Sequence, residues 1–145
     1  MLRTRTCPLF VASLLSVSAV IAFSQTVQQL QSAYSGALLW NHSDATMRFT
    51  SSGGIHFTNA GLKSFIWQVP SEVKTIRIAK SVTVNGAFHS RGDLLIAGED
   101  RKTSVVYGTD EQGWSQNRGV KAFTICTFQN FGGVMTVSNL TSLNP

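Results

Sequence analysis

At 145 residues, with 43% hydrophobic and only 13% charged side chains, the chain is too apolar for a disordered tail and long enough for one domain at most. Its formal charge is +5, but no basic run interleaves with aromatics, so nucleic-acid binding finds no support in composition. The densest basic pair, Arg101-Lys102, is matched by Glu99-Asp100 directly before it.

The chain begins with a targeting pattern. Arg3 and Arg5 form a positive n-region, Leu9 to Ala22 an apolar run, and Ala22-Phe23-Ser24 places small residues at the −3 and −1 positions of a cleavage site. Residues 1–24 therefore read as a secretory signal peptide. The apolar run is shorter than the roughly 20 residues that span a bilayer, which argues against an anchor. Removing Arg3 and Arg5 lowers the net charge from +5 to +3 and leaves no membrane segment. Cys7 leaves with the signal, so Cys126 has no internal partner. A secreted domain with one thiol must be held by burial and backbone hydrogen bonds, and the alternation in Thr124-Ile125-Cys126-Thr127-Phe128 reads Cys126 as a buried structural thiol.

Between Gln25 and Ala37, Val27, Leu30 and Tyr34 recur at helical spacing, with Gly36 as a stop. Residues 25–39 are thus a leader or a short capping helix. From Trp40 onward the pattern shifts to short β-type runs. They include Met47-Arg48-Phe49-Thr50, Ser64 to Val69, Thr75-Ile76-Arg77-Ile78, Val82-Thr83-Val84 and Asp93-Leu94-Leu95-Ile96. Ser104 to Tyr107, Ala122 to Ile125 and Val134 to Val137 follow, with Gly, Asn, Asp or Ser between runs. Asn85-Gly86 is a good hairpin signal and Gly53-Gly54 a weaker turn signal. Two architectures compete: a hairpin-built sandwich or barrel, and a parallel β-helix. Runs this short, apolar at successive positions as in Leu94-Leu95-Ile96 and separated by very uneven gaps, fit the solenoid, which takes insertions at its corners.

"DLLIAGEDRKTSVVYGTD", followed by "KAFTICTFQNFGGVMTVSNLTSLNP", resembles the early coils of right-handed parallel β-helix proteins of the pectin-lyase-like superfamily. In those proteins a strand ends in a Gly-acidic-basic turn, a "kTsVI.G" segment follows, and a "v.nltf.N" strand comes a coil later. Lys74 to Phe88, "KTIRIAKSVTVNGAF", is similar to an earlier wall strand. The resemblance covers about half the chain, from Val69 to Pro145, and its motifs are structural. It implies an all-β fold, with residues 40–145 forming the N-terminal coils of a right-handed parallel β-helix. It also implies action on an extracellular polysaccharide as a glycoside hydrolase, lyase or pectin esterase. The alternative is a non-catalytic glycan-binding or adhesive β-helix module. Catalytic groups of the superfamily sit on later coils, and there is room here for about three coils. The chain is therefore expected to be the N-terminal part of a longer secreted protein, its catalytic residues unassigned.

Glu99 and Asp100 are adjacent, so on extended backbone they face opposite ways and make a poor acid/base pair; a solvated turn with Arg101 or Lys102 as salt partners is the default. Gly98 reads as a backbone position needing positive φ; no helix follows it to build a phosphate loop. In the long loop "TDEQGWSQNRG", Asp110, Glu111, Trp114 and Arg118 combine a stacking face with planar hydrogen-bonding groups, the chemistry sugars prefer. They are the glycan-contact candidates. His42, His56 and His89 have no metal-ligand spacing, so neither a metal nor another cofactor is called for. Arg91-Gly92-Asp93 falls between two strands and reads as a coincidental tripeptide. Asn41-His42-Ser43 and Asn139-Leu140-Thr141 are glycosylation sequons. Asn41 is the candidate acceptor, whereas Asn139 is expected inward and hydrogen-bonded in a stacked turn.

Overall fold

A computed structural model describes residues 25–54, 57–59, 62–64, 66–108 and 127–143. The signal-peptide residues, the run 122–125 and Cys126 lie outside the described residues. The first element is α1 (Val27–Ala33), a helix of two turns. Thr26 caps it: its hydroxyl accepts from the Gln29 N–H at 3.1 Å, while Gln29 Oε1 accepts from the Thr26 N–H at 2.9 Å, a reciprocal capping box. The helix stops at Tyr34, where the backbone turns extended, two residues before Gly36.

The strands follow in chain order: β1 (Leu38–Asn41), β2 (Thr46–Phe49), β3 (Gly53–Gly54), β4 (Phe57–Asn59), β5 (Leu62–Ser64), β6 (Ile66–Gln68) and β7 (Thr75–Ile78). Then come β8 (Thr83–Asn85), β9 (Ala87–Ser90), β10 (Leu94–Gly98), β11 (Val105–Tyr107), β12 (Phe128–Asn130), β13 (Met135–Ser138) and β14 (Thr141–Leu143). Three of the sheets are parallel throughout or nearly so. The first has the order β1-β2-β7-β10-β13, the second β14-β11-β8-β3 and the third β12-β9-β6. The chain thus visits first, second and third sheet in the same order: β2-β3-β6, then β7-β8-β9, then β10-β11-β12, and enters the series again with β13-β14. This strand-rich, serial parallel arrangement is compatible with a β-helix-like fold. Two local features depart from it: β1 pairs antiparallel with β2, and β4 and β5 form a small antiparallel hairpin.

Because strand side chains alternate and parallel partners stack in register, like residues pile up in columns. Met47, Ile76, Ile96 and Val137 align through the first sheet, the first three buried. Val84 and Val106 align in the second. In the third, Trp67, Phe88 and Phe128 align, and their rings stack at 5.7 and 6.3 Å between centroids. Phe49 meets Trp67 edge-on at 5.1 Å and joins the sheets into one core.

One end of the stack is closed by residues 25–41. Tyr34 packs edge-on against Phe49 at 4.9 Å, and Val27 and Leu30 are buried beside it. The edge of each sheet is covered in turn. The first ends in antiparallel β1. On the second, the Ser35 N–H donates to the Gly54 carbonyl at 3.0 Å and Ser35 Oγ accepts from the Gly54 N–H at 3.0 Å. On the third, Gln25 Oε1 accepts from the Gln68 N–H at 2.9 Å, and Gln25 Nε2 donates to the Ile66 carbonyl. At the other end β12, β13 and β14 contain no fully buried residue.

Several local expectations are corrected. Asn85-Gly86 makes no hairpin: Gly86, at φ 138°, turns the chain from the second sheet to the third. Gly53-Gly54 is strand β3, not a turn. Gly98 does not adopt a positive φ. It is needed because the next coil comes too close: a Cβ there would lie 2.2 Å from the Asn139 carbonyl oxygen and 2.7 Å from Ser104 Cβ.

Candidate functional site

The outer face of the first sheet carries a recess. Alternation in β1 turns Leu39 and Asn41 outward, and in β2 it turns out Thr46 and Arg48. Register sets Leu39 beside Arg48, Asn41 beside Thr46, and Arg48 beside Arg77 of β7. With Gln31 from α1, the half-buried Trp40, and Asp44 from the β1–β2 turn, these residues line a groove of about 580 Å³.

Each wall is fixed by a local interaction. Gln31 Nε2 donates to the Leu38 carbonyl at 3.1 Å, tying the helix to β1. Ala45, at φ 55°, gives the β1–β2 turn its left-handed corner, and Asp44 Oδ1 accepts from the Thr46 N–H at 3.1 Å to close it. Asn41 Oδ1 accepts from the Ser43 N–H at 3.1 Å and from its hydroxyl at 2.7 Å. Trp40 packs partly on the core and lies 6.2 Å, edge-on, from the His42 ring.

Charge in the groove is asymmetric. Arg48 Nε donates to Glu99 Oε1 at 2.7 Å, the one salt bridge among the described residues. That bond holds the Glu99 carboxyl below its ordinary range and raises Arg48 above its own. Arg77, one rung along, adds to the lowering of Glu99 and makes no salt bridge of its own within the described residues. The groove therefore offers two guanidinium groups, two primary amides, a carboxylate and an indole. These planar donors and acceptors around an aromatic body suit a polyhydroxylated ligand. Of the described groove residues only Asp44 is a carboxylate, with Glu99 held against Arg48 nearby.

The glycan-contact candidates Asp110, Glu111, Trp114 and Arg118 lie outside the described residues, as does His56. Asn41 is exposed on the groove wall. His42 is exposed beside Trp40, and His89 is buried in the third sheet. Among the described residues no group of three or more His, Cys, Asp or Glu could hold a metal ion, and no helix is long and apolar enough to cross a membrane.

The charged turn from Glu99 to Lys102 is a corner. Asp100 Oδ1 accepts from the N–H groups of Lys102 and Thr103 at 2.9 and 3.0 Å, while its own N–H donates to Ser104 Oγ at 3.0 Å. The buried Ser104 hydroxyl reaches back to the Ile78 and Ala79 carbonyls of the previous coil. Glu99 pairs with Arg48, not with Arg101 or Lys102. Sequence reasoning missed Arg48 and Arg77. The signal was available in Met47-Arg48-Phe49 and Ile76-Arg77-Ile78, each an arginine between two inward apolar residues and so forced outward in both strands.

The class that fold and site define is a strand-rich protein of stacked parallel sheets with a polar groove on one outer face. No family model, curated protein or solved structure matches the chain.

Proposed function

We propose that this chain forms coils of a secreted, right-handed parallel β-helix of the pectin-lyase-like kind, and that the groove on its first sheet binds an extracellular polysaccharide. The observation that carries the reading is the groove itself, with Trp40, Gln31 and Asn41 beside the paired outward arginines. The right-handed sense is supported by the connections, because successive strands of one sheet run parallel through a long crossover and such crossovers are predominantly right-handed. The sequence resemblance and the signal-peptide pattern supply the substrate class and the compartment.

Catalysis is the second reading, as a hydrolase, lyase or esterase. It rests on the sequence resemblance, whose members act on polysaccharides in these three ways. Electrophoresis of the secreted protein through gels containing pectins, dextrans or other glucans tests both. Retardation by one polysaccharide, lost in Arg77→Ala, is the expected result, and no retardation by any of them defeats the binding reading. Release of reducing ends, unsaturated ends or methanol would move the protein to the enzymatic class.

A further inference from the structure

We infer that Asn41 is an N-glycosylation site whose glycan stands over the groove and controls access to it; the gating half of this inference rests on the function proposed above. Two sequons were visible in the sequence, and their geometry separates them. Asn139 is exposed, not inward as expected, but its amide is committed to the fold. Its Nδ2 donates to the Gly98 carbonyl of the preceding coil at 2.8 Å, its backbone is left-handed at φ 52°, and Thr141 Oγ1 donates to the Arg101 carbonyl at 2.7 Å. A glycan on that nitrogen would displace its bond to Gly98 and wedge two coils apart, so the folded stack is compatible only with an unmodified Asn139.

Asn41, also exposed, differs in how its amide is held. It ends β1, is exposed, and turns outward at the head of a tight turn. Its Oδ1 takes both the Ser43 N–H and the Ser43 hydroxyl, while no acceptor among the described residues takes Nδ2. Both bonds fall on the amide oxygen, so none of the described residues would be displaced by a sugar on the nitrogen. In the transfer, Nδ2 forms a bond to the anomeric carbon of an oligosaccharide carried on a lipid pyrophosphate. The carbon–oxygen bond to that pyrophosphate breaks, the lipid pyrophosphate leaves with the electron pair, and the amide gives up one proton to a base. Asn41 also lines the groove opposite Thr46, so a glycan anchored there starts from the wall of the recess.

The test uses the full chain secreted from a host that N-glycosylates. Treatment with a peptide-N-glycosidase is expected to lower its mass and convert residue 41 to Asp. The shift should be absent from Asn41→Gln and Ser43→Ala, and retained in Ser43→Thr. A secreted chain without glycan, or with glycan on Asn139 instead, overturns the assignment. Gating is read without any polysaccharide. In a Cys7→Ser, Cys126→Ser background, maleimide labelling of Leu39→Cys should be severalfold slower in the glycosylated form and recover on deglycosylation. Equal rates overturn gating. If labelling slows but neither form is retarded by any polysaccharide, the inference stands and the binding function fails.

Discussion

Arg48 and Glu99 are separated by 51 residues in sequence and meet at 2.7 Å, tying the outer face of β2 to the turn that follows β10. Both side chains remain substantially solvated, at 42% and 31% exposure, so the pair gains little over hydrated charges. Glu99→Gln should therefore cost no more than about 1 kcal/mol in urea unfolding. Its effect should be on the groove, where it leaves Arg48 uncompensated beside Arg77. Tighter retention of a carboxylated polysaccharide relative to a neutral one is expected, and a loss of several kcal/mol with unchanged retention would show that the pair serves stability instead.

Gly98 marks where two coils come closest. An added Cβ meets backbone oxygen of Asn139 and side chains of Ser104 and Leu140, none of them the end of a flexible chain. Gly98→Ala is expected to destabilise by about 1–3 kcal/mol or more, as overpacking does in a well-filled interior. Gly92 has nothing within 4 Å of the same position, so Gly92→Ala should fall within about 0.5 kcal/mol of the parent. Equal urea midpoints for the two variants would rule out close coil packing at Gly98.

How much could be read beforehand follows from which signals were local. Runs with outward polar and inward apolar residues, such as Thr75 to Ile78, appeared as strands at the same residues, because alternation depends only on the strand itself. The corner at 99–104 was legible for the same reason, since Asp100 bonds within its own turn. What was not legible depends on the neighbouring coil. Gly98 could only be explained once Asn139 lay over it, and the partner of Glu99 could only be named once register brought Arg48 alongside. β3 is a pair of glycines whose strand character comes wholly from pairing with β8, and composition alone reads such a pair as a turn. The groove belongs to this second kind: its lining comes from α1, β1, β2 and β7, and stacking assembles it.

Phe88 is the centre of the aromatic column, fully buried between Trp67 and Phe128 and 6.0 Å edge-on from Phe49. Removing the ring leaves a void between coils that neighbours pinned by sheet hydrogen bonds cannot readily collapse into. Phe88→Ala should cost about 3–5 kcal/mol and Phe88→Leu distinctly less. Near-ultraviolet circular dichroism should report the loss of ordered packing around Trp67. A Phe88→Ala protein with parent-like stability and spectrum would mean that the column does not hold the third sheet to the core.

Acid sensitivity should originate in the same corner. The Asp100 carboxylate is held below its ordinary range by the backbone N–H groups of Lys102 and Thr103, and Glu99 is held low chiefly by its bond from Arg48. For a carboxyl whose folded pKa is depressed, the unfolded chain binds the proton first as pH falls. The stabilisation is fully present above the ordinary carboxylate range and is lost as pH drops through the lower folded values. Urea midpoints should therefore stay level from neutral pH to about pH 5 and then decline, starting near the ordinary Asp and Glu values. Asp100→Asn keeps an oxygen to accept the two N–H groups but has no proton to gain. It should resemble the parent at neutral pH and lose stability less steeply in acid, whereas Asp100→Ala, which removes the acceptor, should be weaker already at neutral pH. An acid slope unchanged in Asp100→Asn would place the titration elsewhere in the molecule.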